Sequence, residues 1–125
     1  MANKKKILVV DDEANLTKML KRNLEATGKF EVQTENQGSN AVSAAKAFAP
    51  DLILLDVMMP DADGGEVASE MGDDPALSGI PIVFLTAIVT KEEVDESGGV
   101  ISGRPFVAKP VKTDDLVKII ESNLA

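Results

Sequence analysis

Runs of consecutive apolar residues alternate along this chain with stretches in which apolar residues recur every three or four positions. Residues 7–10, 52–55 and 80–85 are apolar runs of the length expected for strands buried on both faces, as in a parallel sheet. In residues 30–35 apolar and polar side chains alternate, which predicts a half-exposed strand at a sheet edge. Residues 106–108 predict a short fifth strand at the other edge.

The stretches between these strands have the period of amphipathic helices. The first helix is predicted to begin at Asn15 and to stop before Gly28, and the second to begin at residues 38–40 and to close at Pro50. A short, weakly striped third helix is predicted over residues 66–71. The predicted apolar stripes are Leu16, Met19, Leu20 and Leu24 in the first helix, Ala41, Ala44, Ala45 and Phe48 in the second, and Leu116, Ile119, Ile120 and Leu124 in the last.

Two capping residues and a glycine-rich segment characterise the last third of the chain. Thr90, followed by Glu93, has the spacing of a capping box for a fourth helix, and Thr113 is predicted to cap the fifth. Residues 98–105 contain three glycines and a proline, which disfavour helix. We therefore expect a short or irregular fourth helix, followed by an irregular loop over residues 98–105.

The alternation of five strands with five helices predicts one α/β domain over residues 1–125. Such alternation produces parallel strands with helices on both faces, because the crossover connections are right-handed. When the three fully apolar strands are placed in the centre, the strand order becomes 2-1-3-4-5. This order is that of the flavodoxin-like doubly wound sheet.

Composition and charge narrow the classes of function. The 125 residues include no Cys, which suits a reducing cytoplasm, and no His, which excludes imidazole as a base or metal ligand. The net charge of −8 argues against a nucleic-acid surface. No apolar run approaches the length of a membrane span. We therefore expect a cytoplasmic protein that binds neither nucleic acid nor membrane.

Reactive side chains follow the carboxyl ends of four predicted strands. Ligands of open parallel sheets bind beyond these ends, where the strand order reverses. A lone aspartate there is usually a turn residue, whereas three carboxylates, a hydroxyl and an ammonium group at one edge are hard to attribute to turns. The side chains are Asp11 and Asp12 after strand one, Asp56 at the end of strand three, Thr86 at the end of strand four and Lys109 after strand five.

This combination of groups suits phosphoryl transfer to an aspartate. Clustered carboxylates repel one another unless a counter-charge is present, and Mg²⁺ supplies one while keeping positions for water and phosphate oxygens. A carboxylate can also attack phosphorus, a reaction that needs mainly positioning and charge neutralisation. The sequence has no glycine-rich nucleotide loop, so binding of ATP or NAD is not supported.

With these residues in place, the sequence resembles, over essentially its whole length, the receiver domains of bacterial two-component response regulators, in particular stand-alone chemotaxis-regulator-like ones. The resemblance implies that Asp56 accepts a phosphoryl group from a phosphohistidine of a sensor histidine kinase or phosphotransfer protein. A downstream partner protein would then read the change. The matching motifs are residues 9–13, residues 50–60, Asp63–Gly64, residues 85–87 and Lys109–Pro110.

The resemblance also implies a metal site and a phosphoryl site. Thr86 and Lys109 would contact the phosphoryl oxygens, and the Lys109–Pro110 peptide bond would be cis. The Mg²⁺ ligands implied by the resemblance are Asp11, Asp12, Asp56 and the backbone carbonyl of Met58.

Phe106 matches the position of the family's switch aromatic. When Thr86 moves toward a bound phosphoryl group, Phe106 would turn inward and bias two pre-existing states. An equally good interpretation is that Phe106 is an ordinary core residue in both states. Because the fourth helix usually contributes to the family's output face, the glycine-rich residues 98–105 leave the partner surface open.

Two alternative functions remain open on the sequence alone. A phosphohydrolase of the haloacid-dehalogenase type would carry an acid/base aspartate two residues after its nucleophile, where this chain has Met58. A degenerate receiver that serves only as a scaffold would not need the intact set of reactive side chains. Since the chain ends within the last predicted helix, we expect a stand-alone receiver, whose catalysis is limited to its own phosphorylation and dephosphorylation.

Overall fold

The computed structural model of the chain describes residues 4–59, 62–86, 100–101, 104–108 and 112–124. In chain order the elements are β1 (Lys5–Val10), α1 (Ala14–Ala26), β2 (Phe30–Glu35), a 3₁₀ turn (Gly38–Asn40), α2 (Ala41–Phe48), β3 (Leu52–Asp56), β4 (Met58–Met59), β5 (Ala62–Asp63), α3 (Gly64–Asp73), β6 (Ile82–Thr86), β7 (Val100–Ile101), β8 (Arg104–Ala108) and α4 (Thr113–Asn123). The strands of the main sheet alternate with helices as predicted, except between β6 and β8, where the predicted fourth helix lies outside the described residues.

Within the described residues, the main sheet has the strand order β2-β1-β3-β6-β8-β7. The strands β1, β2, β3, β6 and β8 pair in parallel with their neighbours in this set. Counted along the chain, these five strands have the order 2-1-3-4-5, so the predicted flavodoxin-like sheet is confirmed. The short strands β4 and β5 form a separate antiparallel pair after the end of β3.

The central strands contribute side chains alternately to two hydrophobic clusters, one on each face of the sheet. In β3, Ile53 and Leu55 pack on the side of α2 and α3, whereas Leu52 and Leu54 pack on the side of α1 and α4. All five residues of β3 are buried. Because both faces of the sheet are covered by helices, a central strand reads as a continuous apolar run.

α3 is longer than the sequence pattern predicted. It begins at Gly64 and ends at Asp73, beyond both limits of the predicted residues 66–71. The N–H of Gly64 donates to the carbonyl oxygen of Val57, at 2.9 Å, so the first turn of the helix is attached to the loop after β3. This contact between distant elements is not visible as a local capping signal.

Two helical positions also differ from the prediction. α4 begins at Thr113 with Lys112 as its N-cap, so Thr113 is the first helical residue and not the cap. In α1, Met19 is 45% exposed and Thr17 is buried. The helix turns 100° per residue, so the face that buries Leu20 points Met19 away from the sheet. None of the helices within the described part of the chain is long and apolar enough to cross a bilayer.

The prediction of an irregular loop over residues 98–105 is wrong for part of the segment. β7 pairs antiparallel with the first two residues of β8, so β8 is not an edge strand at that point. Valine and isoleucine, the two residues of β7, favour extended backbone despite the glycines around them. Residues 87–99, where the fourth helix was predicted, lie outside the described residues.

Candidate functional site

The register of β1 and β3 brings acidic residues together at the carboxyl edge of the sheet. Val10 and Leu55 are partners across these parallel strands, so the residues that follow them, Asp11 and Asp56, lie side by side. Each of these residues and Asp12 offers a carboxylate oxygen, and the three oxygens lie within 4.8 Å of one another. The structure thus brings together all three carboxylates that the sequence placed at this edge.

The three carboxylates differ in their exposure to solvent. Asp11 is fully buried and Asp56 is only 4% exposed, whereas Asp12 is an exposed residue. Two unit charges 4.8 Å apart, the largest separation among these oxygens, repel by about 3 kcal/mol at an effective dielectric constant of about 20. A hard divalent cation would offset that repulsion, because it binds carboxylate oxygens directly. The exposed side at Asp12 leaves the cluster accessible from solvent.

The backbone of Asp11 is held by residues at the end of β2. Its N–H donates to the carbonyl oxygen of Glu35 at 3.0 Å, and its carbonyl oxygen accepts a hydrogen bond from Nδ2 of Asn36 at 2.9 Å. Asp11 Oδ1 also accepts from the N–H of Glu13 at 2.9 Å, which closes the turn into α1. Asn36 was not among the predicted site residues. The signal that could have identified it is its position directly after β2, at the same edge of the sheet.

The loop after Asp56 is anchored through both peptide groups of Val57. The N–H of Val57 donates to the carbonyl oxygen of Leu85 in β6 at 3.0 Å, and its carbonyl oxygen accepts from the N–H of Gly64 at 2.9 Å. A Cβ atom added at Gly64 would overlap the carbonyl oxygen of Asp56 and lie 2.8 Å from the Cα of Val57. Glycine is required here because the start of α3 packs directly against the backbone of Asp56.

The remaining predicted site residues are described only in part. Thr86 is the last residue of β6, the strand next to the one that ends on Asp56. Met58 begins β4 immediately beyond the loop. The side chain of Thr86, and the whole of Lys109 and Pro110, lie outside the described residues, so their roles stay predictions.

Phe106 lies in the core of this structure. It is 7% exposed and belongs to the hydrophobic cluster between the sheet and helices α2 and α3. Its partner on the neighbouring strand is Phe84. Movement of Phe106 on phosphorylation stays a prediction.

A doubly wound parallel sheet with clustered carboxylates at its strand switch point defines an α/β domain with an acidic site of the kind that could hold a metal ion. The sequence pattern of the response regulator receiver domain matches residues 7–121. The chain therefore belongs to the receiver domain family of two-component response regulators, as its motifs suggested. Family membership supports the receiver interpretation over the phosphohydrolase alternative.

Curated relatives of the chain are longer proteins. The DNA-binding response regulator MtrA of Mycolicibacterium paratuberculosis is 38% identical over 122 residues, which are 97% of this chain and 52% of the relative. The alkaline phosphatase synthesis transcriptional regulatory protein PhoP of Bacillus subtilis is 41% identical over 107 residues, which are 85% of this chain and 42% of the relative. The chain spans about half the length of the curated relatives it matches. Because these relatives are named DNA-binding or transcriptional regulators, the expectation of no direct contact with nucleic acid is not supported.

Solved structures match the chain over nearly its full length. The chemotaxis protein CheY4 of Vibrio cholerae superimposes with a TM-score of 0.83 at 28% identity, covering 98% of this chain and 100% of that one. The N-terminal domain of a response regulator receiver protein from Methanoculleus marisnigri gives a TM-score of 0.71 at 37% identity, covering 97% of each chain. Both similarities agree with the strand order described above.

Proposed function

We propose that this receiver domain is a phosphoacceptor switch in which Asp56 takes a phosphoryl group from a histidine of a sensor kinase or phosphotransfer protein. The observation that carries this proposal is the cluster of Asp11, Asp12 and Asp56, whose oxygens lie within 4.8 Å of one another at the ends of adjacent parallel strands. Membership of the receiver domain family supports a phosphohistidine as the donor of the phosphoryl group. The phosphorylated state is then read by a downstream partner protein.

In the proposed reaction, a carboxylate oxygen of Asp56 attacks the phosphorus atom of the phosphohistidine. The new P–O bond forms as the P–N bond breaks, and the imidazole departs as the leaving group. Asp56 ends a strand that is buried along its whole length, which limits the motion of the attacking carboxylate. Water later hydrolyses the acyl phosphate, which releases inorganic phosphate and restores the carboxylate. Under this proposal the domain catalyses only its own phosphorylation and dephosphorylation and is not an enzyme toward other substrates.

The donor set of the site fits Mg²⁺. Carboxylate oxygens are the ligands that this ion prefers, and the exposed side of the cluster leaves room for the waters and phosphate oxygens that complete its shell. When bound, Mg²⁺ would neutralise the charge on the carboxylates and on the transferring phosphoryl oxygens. We propose that Thr86 and Lys109 also contact the phosphoryl group. The proposed ligands are Asp11, Asp12, Asp56 and the backbone carbonyl of Met58.

We further propose that residues 1–125 form one receiver domain that works in the cytoplasm. The match of the receiver family to residues 7–121 supports the single domain. A cysteine-free composition suits a reducing compartment.

The proposal is tested by intact-protein mass spectrometry after incubation with acetyl phosphate, with and without Mg²⁺. We expect the wild type to gain one phosphoryl group only when Mg²⁺ is present, and Asp56→Asn to gain none. The matched control is Asp51→Asn, which lies just before the first residue of β3, where the carboxylate accepts a hydrogen bond from the N–H of Lys6 at 2.8 Å. Asp51→Asn should be labelled like the wild type.

Two results would contradict this assignment. Labelling of Asp56→Asn at the wild-type level would move the phosphoacceptor to another residue. A wild-type protein that binds Mg²⁺ but takes no phosphoryl group from acetyl phosphate or from a histidine kinase would favour the scaffold alternative.

A further inference from the structure

The function proposed above assigns no role to a polar network that lies beside the acidic cluster. Nδ2 of Asn36 lies 2.9 Å from the carbonyl oxygen of Asp11 and 2.9 Å from Oγ1 of Thr17. Oγ1 of Thr17 in turn donates to the carbonyl oxygen of Ala14 at 3.0 Å. The network therefore connects the end of β2, the residue after β1 and the first turns of α1.

The chemistry of the groups fixes the direction of each hydrogen bond. The carbonyl oxygen of Asp11 can only accept, so the side chain of Asn36 must turn its NH₂ group toward it. The second hydrogen of that NH₂ group is donated to Thr17, whose hydroxyl passes its own hydrogen to Ala14. Thr17 is only 1% exposed, so water does not readily replace Asn36 as its partner.

Asn36 acts on the peptide unit that joins the two acidic residues after β1. The carbonyl group of Asp11 and the N–H of Asp12 belong to one planar unit, so holding the oxygen also fixes the direction in which the chain enters Asp12. The preceding peptide unit is held as well, because the N–H of Asp11 donates to the carbonyl oxygen of Glu35 at 3.0 Å. Glu35, the last residue of β2, and Asn36, which follows it, thus hold the peptide units on both sides of Asp11.

We infer that Asn36 is a positioning residue for the metal site, which keeps the carboxylates of Asp11 and Asp12 beside Asp56 before any cation binds. Repulsion among the three carboxylates pushes the exposed Asp12 outward in the metal-free protein. The bond from Asn36 opposes that movement, and the preorganised site binds a cation more tightly. What the site binds rests on the proposed function, whereas the positioning is a property of the metal-free chain.

The first measurement is Mg²⁺ affinity by isothermal titration calorimetry on the full chain. Loss of groups that orient metal ligands costs one to two orders of magnitude in affinity, so Asn36→Ala should bind about tenfold more weakly. Asn40→Ala is the matched control, because Nδ2 of Asn40 donates to Oε1 of Gln37 at 2.9 Å on the exposed surface. This control should keep wild-type affinity.

Substitutions of Thr17 test the network from its other end. Thr17→Val keeps the shape of the side chain but removes the hydroxyl that fixes the orientation of Asn36, so affinity should fall by less than in Asn36→Ala. Thr17→Ser retains the hydroxyl and should therefore keep the Mg²⁺ affinity of the wild type. General destabilisation of α1 would not distinguish these two variants in this way.

The second measurement needs no metal. The ¹⁵N order parameter of the Asp12 amide reports how firmly its peptide unit is held, and a rigid backbone gives about 0.85. In metal-free Asn36→Ala we expect this value to fall below about 0.6, while the amide of Val57 stays unchanged. An Asp12 order parameter that Asn36→Ala leaves unchanged would overturn the inference, whatever happens to Mg²⁺ affinity. A wild type that binds no Mg²⁺, combined with a mobile Asp12 in Asn36→Ala, would reject the proposed function and keep the positioning role.

Discussion

The backbone of Asp56 leaves no space for a side chain at Gly64. A Cβ there would meet the Asp56 carbonyl oxygen and lie 2.8 Å from the Cα of Val57, and both of these atoms belong to rigid backbone. We therefore predict that Gly64→Ala lowers the free energy of unfolding by about 1–3 kcal/mol, the usual cost of overpacking. Urea unfolding measures this difference.

Gly79→Ala is the matched control for this prediction. A Cβ atom at Gly79 has nothing within 4 Å, so the change should be neutral or stabilise the protein by up to about 1 kcal/mol through a less flexible unfolded chain. Equal stability of Gly64→Ala and Gly79→Ala would show that the start of α3 can move away from Asp56 without cost.

The sequence predicts the positions of some residues at the site and not those of others. Asp11 and Asp56 follow strands of known direction, so strand order alone places them at one edge of the sheet. Asn36 and Thr17 meet through side chains from different elements, and their contact depends on the rotation of α1. The apolar stripe misjudged that rotation at Met19, so the buried Thr17 and its partner were missed.

The connection between α2 and the end of α3 includes an ion pair whose strength depends on pH. Nζ of Lys46, in the last turn of α2, lies 2.8 Å from Oδ2 of Asp74. This hydrogen bond, with a second from the N–H of Ala76, lowers the pKa of Asp74 below its ordinary value of 3.8. The pair therefore stabilises the folded state above pH 3.8 and loses that contribution as the pH falls through the lower, folded-state pKa.

We predict that Lys46→Met reduces stability slightly at neutral pH and that its difference from the wild type disappears in acid. Thermal unfolding of both proteins, measured from neutral pH to well below pH 3.8, gives this difference. Lys29→Met is a suitable control, because Lys29 lies 3.5 Å from Glu121 and both side chains are about half exposed, so a weaker effect is expected. A wild-type advantage over Lys46→Met that persists in strong acid would assign the stabilisation to packing of the lysine stem.

At the scale of elements, the sequence predicts the sheet better than it predicts the ends of helices. The central strands are buried on both faces, so their apolar runs reveal both their number and their parallel order. The start of α3 at Gly64 depends on a hydrogen bond to the loop after β3, and the pairing of β7 with β8 is a contact between strands. Neither contact leaves a local pattern in the sequence.

At the scale of the whole molecule, a cluster of lysines lies at the edge of the sheet opposite the acidic cluster. The acidic cluster lies at the carboxyl ends of the strands, whereas Lys4, Lys5 and Lys6 lie at the amino end of β1. Nζ of Lys6 donates to the carbonyl oxygen of Phe48 at 3.3 Å and lies 5.2 Å from the centre of its ring. Lys6 is therefore engaged at the amino edge of the sheet, at the opposite end of the strands from the three carboxylates.

The repulsion among Asp11, Asp12 and Asp56 predicts that the metal-free protein is less stable than it would be with fewer carboxylates. Asp56→Asn removes one charge from the buried part of the cluster, so it should raise the free energy of unfolding without Mg²⁺ by about 1–3 kcal/mol. Chemical unfolding in the presence of a chelator measures this change. A lower stability for the variant would contradict the repulsion argument. Asp51→Asn, which lies outside the cluster, controls for loss of charge alone.

Added Mg²⁺ should reduce the stability advantage of Asp56→Asn over the wild type. A ligand that binds only the folded state stabilises it by about 2.7 kcal/mol at one hundred times its dissociation constant. The wild type, with all three carboxylates, should gain this full amount, whereas Asp56→Asn binds the ion more weakly and gains less. The advantage of Asp56→Asn in chelator should therefore shrink steadily when unfolding free energies are measured across a Mg²⁺ titration. Two curves that rise in parallel would show that Mg²⁺ binds elsewhere on the protein, and that Asp56 is not among its ligands.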